Sequence, residues 1–229
     1  KAKEISDTAF DGLAGLYGKE VLGNFGPASK NISLESIIGY VTDIVKVAAP
    51  ESETVVDKAT LVVNDLFEGT LSGVKINETT EIKKLIEDVY SLVCEFIPEG
   101  TVRNITDTAA DEISLLYGVR RIKEFKQATL DINVRDLIFA VNAIVLKAIP
   151  ESNEKVRSAV TATAELAGDL ISGTIGNCGF NQNLPIEKLV GDVKDIANVF
   201  IPEGKAKEIS DTAFDGLAGL YGKEVLGNF

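Results

Sequence analysis

The sequence predicts an all-α protein made of tandem two-helix hairpins, each about 50 residues long, a period typical of helical arrays. Three observations carry this. Apolar residues recur at helical spacing in four corresponding segments. Four prolines, Pro50, Pro98, Pro150 and Pro202, punctuate the chain at spacings of 48, 52 and 52. The first 25 residues, Lys1 to Phe25, return without a change as Lys205 to Phe229. Two packings fit: four-helix-type blocks, or a continuous α-solenoid.

The first segment carries a stripe of Ile5, Ala9, Leu13 and Leu16. Phe10, Ala14, Tyr17 and Val21 widen it toward half the circumference. So wide an arc implies two neighbours rather than one. Gly12, Gly15 and Gly18 share the helix, although an interior Gly costs about 1 kcal/mol relative to Ala. Close approach of a neighbouring helix would account for them. Gly26-Pro27 reads as the stop, and the second helix should begin near Ser33.

That second helix has the stripe Leu34, Ile37, Ile38, Val41, Ile44, Val45, Ala48. The same pattern returns three times, centred on Val89, Val141 and Val193. Steps of three and four keep these side chains on one face, which should be the core face. The proline after each stripe suits a helix stop or the first position of the next helix. Val55, Ala59, Val63 and Leu66 mark the first helix of the second hairpin.

Three blocks follow: 1–100, 101–204, and 205–229 as the first helix of another copy. Ile5, Asp7, Tyr17 and Phe25 match Ile105, Asp107, Tyr117 and Phe125 at an offset of 100. From Ile82 onward the offset is 104. The extra four residues are expected within 177–185, where Gly, Asn and Pro cluster as in a loop. The length then reads as a window on a longer array, and a fragment from inside such an array would show no targeting segment.

Composition narrows the chemistry. The 229 residues carry 23 Lys and Arg against 35 Asp and Glu, a net charge of −12, with no His, Met or Trp. Such a chain is a poor nucleic-acid ligand, because phosphate attraction needs cationic excess. Without His there is no Ser-His or Cys-His nucleophile pair and no Cys/His zinc site. Asp7 and Asp11, like Asp107 and Asp111, lie one turn apart. They could hold a cation, but a solvated acidic face is the simpler reading. Gly12, Gly15 and Gly18 fall inside a helix, so they are not a phosphate-cradling loop. No enzyme activity, cofactor or metal is expected.

Cys94 and Cys178 leave two alternatives open, a disulfide or two free thiols. Asn31, Asn77 and Asn104 each open an N-glycosylation sequon. Asn31 and Asn77 fall in equivalent inter-helix loops and Asn104 near a helix start, which suits a secreted, extracellular protein. Unmodified polar loop residues are the alternative. The most apolar stretch, Val134 to Ile149, contains Arg135, Asp136, Asn142 and Lys147 and is too short to span a bilayer. Phe139, Ala140 and Leu146 lie off its stripe, so it either lines a cavity for a hydrophobic ligand or is a central core helix.

The leading functional expectation is a structural repeat segment that builds a rod, filament or extracellular matrix by end-to-end packing and self-association. The alternatives are a tandem carrier of lipid or another hydrophobic ligand, and a protein-binding solenoid.

Overall fold

The amphipathic stripes form helices, and the prolines delimit them. The computed structural model describes residues 1–18, 30–221 and 223–228. Among these, ten α-helices and two short β-hairpins form. The chain divides into two compact units, Lys1–Pro98 with Gly118–Phe125, and Glu99–Tyr117 with Lys126–Phe229.

The first unit holds α1 (Ala2–Tyr17), α2 (Leu34–Ala48), α3 (Glu53–Leu66), β1 (Phe67–Thr70), β2 (Gly73–Ile76) and α4 (Ile82–Val93). Gly18, at φ +55°, closes α1 with its amide on the Ala14 carbonyl. The Gly26-Pro27 stop and Val21 lie outside the described residues. Ser33 caps α2 as expected, its hydroxyl accepting from the Ser36 amide at 3.1 Å. Pro50 starts a 3₁₀ turn, Pro50–Ser52, that leads into α3. Helix α1 packs on α2, α2 on α3, and α3 on α4.

The second unit holds α5 (Thr101–Tyr117), most of α6 (Phe125–Leu130), α7 (Val134–Ala148), α8 (Glu154–Leu170), β3 (Ile171–Thr174), β4 (Asn177–Phe180), α9 (Ile186–Phe200) and α10 (Lys205–Tyr221). Here too each long helix packs on the next: α5 on α7, α7 on α8, α8 on α9, α9 on α10. The returning 25-residue segment therefore docks on the helix that precedes it.

The hairpins are a departure from the helix-only reading. β1 pairs antiparallel with β2 and β3 with β4, through two-residue turns at Leu71-Ser72 and Ile175-Gly176. Four-residue strands are too short to print a period-2 pattern. Gly69 and Gly173 make each hairpin possible. Their φ values are +111° and +96°, and a Cβ on either would strike the carbonyl oxygen of Gly73 or Asn177 on the partner strand.

The four-residue difference is also placed differently from the sequence reading. Segment 177–185 is not an inserted loop; it contains β4, the equivalent of β2. Gly69 and Gly173 already stand 104 residues apart, whereas Pro50 and Pro150 stand 100 apart. The extra residues thus lie before β3, and α8 has 17 residues where α3 has 14. Four residues are close to one helical turn, so the insertion extends the helix and roughly keeps its buried face. Val74 is the counterpart of Cys178.

A backbone clasp recurs at one register. The residue before each second helix bridges to the segment after the next first helix: Ser33 to Thr70, Glu81 to Arg121, Asn133 to Thr174, Pro185 to Val225. The amides of Leu71, Ile122, Ile175 and Leu226 donate to the carbonyls of Ile32, Thr80, Ile132 and Leu184 at 2.9–3.0 Å. Ile32, Ile82, Ile132, Leu184 and Ile186, all in clasps, are among the best-buried side chains. Each such bond contributes about 1 kcal/mol net, and each buried Ile about 2 kcal/mol. The best-buried large aliphatic side chains therefore sit at the clasps.

Candidate functional site

An ion cluster repeats beside each hairpin. Asp65 is the penultimate residue of α3 and meets Lys84 of α4, which also holds Asp88 one turn on at 2.9 Å. In the second unit, Asp169 of α8 meets Lys188 of α9 at 2.7 Å, and Lys188 also holds Asp192. The members correspond at an offset of 104. Arg135 of α7 adds a second cation on Asp169, reaches Glu165 at 3.4 Å, and lies 5.0 Å above the Phe139 ring. At the matching places in the first unit stand Glu35 and Gly39.

The two clusters also differ in which carboxyl is held low. Burial pushes Asp65 up, helped by Asp88 against the pull of Lys84. Burial also opposes charge on Asp88, but the hydrogen bonds of Asp65 and Lys84 hold it below the usual range. The order reverses in the second unit. Burial is outweighed at Asp169 by hydrogen bonds from Lys188 and Arg135, which hold it low, while burial drives Asp192 up. Hydrogen bonds to Asp65 and Asp169 respectively raise Lys84 and Lys188 above the ordinary lysine value. Two carboxylates around one lysine could suit acid–base chemistry, but each here joins a helix end to the following helix. Sequence reading missed the cluster because an offset of 100 aligns Asp65 with Glu165 instead of Asp169.

The two identical 25-residue segments use opposite faces. In α1, Ile5, Thr8, Ala9, Gly12 and Leu16 are half-buried, and Lys3, Ser6, Asp7, Phe10 and Ala14 are exposed. Tyr40 of α2 lies on Gly12, where a Cβ would fall inside its ring, and its hydroxyl donates to the Ala9 carbonyl at 3.4 Å. In α10 the pattern inverts. Lys207, Ser210, Asp211, Phe214 and Ala218 are half-buried, while Ile209 and Leu220 are 71% and 77% exposed. Nothing lies within 4 Å of a Cβ on Gly216, the copy of Gly12. The related α5 has both stripes covered, from Arg103 to Ser114 and from Ile105 to Leu116. The helix thus carries two stripes centred about 160° apart, each facing a different neighbour.

Asp211 and Asp215, the copies of Asp7 and Asp11, pair with Lys194 at 3.3 and 2.7 Å. Asn198 donates to Asp211 at 3.2 Å and holds its carboxyl low, with Lys194 helping against desolvation. Their role there is to dock a helix. No group of three or more metal-ligating side chains occurs among the described residues.

The centres of the four stripes are not core. Val41, Val89, Val141 and Val193 are exposed by 54%, 40%, 51% and 39%. Off-stripe Ala140 is buried instead. A helix that touches chiefly its chain neighbours leaves one flank of its apolar arc uncovered. Between α7 and α8 this flank opens a groove of about 390 Å³, lined by residues that include Leu137, Val141, Val145, Val160 and Ala164. The Asn142 Oδ1 atom is buried there without a hydrogen-bond partner.

Cys94 is half-buried at the C-cap of α4, and Cys178 is exposed on β4. Asn31 and Asn104 are exposed, Asn104 in the first turn of α5. Asn77 is half-buried, and its Oδ1 accepts from the Thr79 hydroxyl at 2.7 Å. No described helix is long and apolar enough to cross a membrane. No protein-family model matches the chain, nor does any curated protein or solved structure.

Proposed function

We propose that the chain is a non-catalytic structural segment of a longer tandem-repeat protein, secreted, whose helical hairpins stack in series into a rod or filament. The recurring clasp is the observation that carries this reading. It ties each hairpin to the next at one register, and its last instance uses residues of the returning 25-residue segment. Within each unit, packing of each long helix on the next favours a solenoid over closed four-helix blocks, in which first and last helices also meet.

Proteins with one, two and three copies of the 204-residue period provide the test. Small-angle scattering should show a maximum dimension that grows by a fixed increment per copy, and thermal stability should rise with copy number. Coil-like growth, or stability independent of copy number, would contradict the reading.

The α7–α8 groove favours a second reading, a carrier of hydrophobic ligands. Organic extraction of the purified protein followed by mass spectrometry separates the two. A stoichiometric copurifying lipid supports the carrier, and a lipid-free protein ends it.

A further inference from the structure

We infer that Asp169 and Asp192 share one proton, carried on Asp192 and donated to Asp169, so that the joint between α8 and α9 is a pH-sensitive latch. The inference concerns the second unit alone and does not depend on the serial reading.

Two orphaned oxygens supply the first argument. Asp192 Oδ1 accepts from the Lys188 ammonium at 2.5 Å, and Asp169 Oδ1 accepts from Arg135. Asp192 Oδ2 and Asp169 Oδ2 are both buried, and neither accepts a hydrogen bond. Lys188 lies 2.7 Å from Asp169 Oδ2, an ion contact without hydrogen-bond alignment. Asp192 is 3% exposed, so bulk water does not reach it. A buried carboxylate oxygen without a donor is strongly disfavoured. The two side chains lie within hydrogen-bond reach of each other. One proton on Asp192 Oδ2 completes both oxygens, because it makes the first a donor and the second its acceptor.

Charge balance supplies the second. Arg135 comes from α7, Glu165 and Asp169 from α8, Lys188 and Asp192 from α9. Glu165 meets Arg135 at 3.4 Å. Two cations against three carboxylates leave one negative charge in excess, and a neutral Asp192 removes it. Helix α10, which packs on α9, places Asp211 and Asp215 on Lys194. Around Lys84 the side chains of Asp65 and Asp88 are more exposed, so water can serve there as the proton serves here.

The latch has a window. Burial raises the Asp192 carboxyl, whereas at Asp169 burial is outweighed by Lys188 and Arg135, which hold it low. Stabilisation by the proton on Asp192 is complete below the ordinary aspartate value of 3.8 and is lost as pH rises through the folded value. Stabilisation by ionised Asp169 is complete above 3.8 and is lost as pH falls through its folded value. The two act together in mild acid. Rising pH removes the shared proton and leaves two carboxylates facing each other between α8 and α9.

Carbon-13 titration of the aspartate carboxyls in the full chain, with urea unfolding of an Asp192→Asn variant, tests this. The Asp192 carboxyl should keep its proton to a pH at which exposed aspartates have lost theirs. The amide in Asp192→Asn imitates the protonated carboxyl, because its NH2 group donates to Asp169 at every pH. The unfolding constant of the wild type relative to this variant should therefore rise with pH above 3.8, by up to about tenfold per pH unit, and level off once Asp192 ionises. An Asp192 carboxyl that ionises together with the exposed aspartates overturns the inference. So does a wild-type-to-variant ratio that stays constant from about pH 4 to about pH 8. The titration is read on the wild type, so it decides the matter even where the variant fails to fold. Neither result depends on copy number, so failure here is distinct from failure of the serial reading.

Discussion

The two ion clusters share three residues and differ in a fourth, and they hold different carboxyls low. Around Lys84 the low carboxyl is Asp88; around Lys188 it is Asp169, where Arg135 adds a second positive charge. The first cluster is also wetter, with Asp65 and Asp88 side chains 16% and 20% exposed, against 10% and 3% for Asp169 and Asp192. The same scaffold thus carries a more solvated ion cluster in one unit and a more buried one in the other.

Removing each lysine breaks that comparison most directly. Lys188→Met leaves Asp192 nearly buried without its cation and should cost about 3 kcal/mol in denaturant unfolding at pH 7. Lys84→Met leaves more exposed carboxylates and should cost about 1 kcal/mol. Equal losses would remove the distinction. The hairpin glycines are the matched control. Gly69→Ala and Gly173→Ala should each cost about 2 kcal/mol, because both positions force a positive φ and a backbone collision.

Smaller effects sharpen the assignment of charge. Arg135→Ala should raise the Asp169 carboxyl and lower that of Asp192, so that carbon-13 titration shows the second cluster behaving like the first. An unchanged order would mean that Arg135 is not the cause. Both lysines are raised in the folded state, so their stabilisation is complete below the ordinary value of 10.5 and is lost as pH rises through the folded values. Thermal unfolding between neutral pH and pH 12 should show that loss. It should shrink in Lys188→Met.

Much of the fold was legible because side chains print it. Steps of three and four around Val41, Val89, Val141 and Val193 located the four second helices, and the prolines located their ends. Phe10 and Ala14 announced the second stripe of the first helix. The clasps were not legible, since backbone hydrogen bonds between Leu71 and Ile32 or Ile175 and Ile132 leave no residue pattern. The hairpins were too short to show alternation. The burial of the stripe valines was misjudged because helical spacing reports a shared face, not what covers it. Asp65 and Asp169 were lost to the misplaced four-residue insertion, which a helix had absorbed as roughly one turn.

Residue-resolved hydrogen exchange on the native chain tests the clasp most directly. The amides of Leu71, Ile122, Ile175 and Leu226 should all be protected at least about a hundredfold, like the helix amides beside them, since each is bonded and packed against a buried side chain. Exchange of these four amides at unprotected rates, while the helices stay protected, would contradict the account.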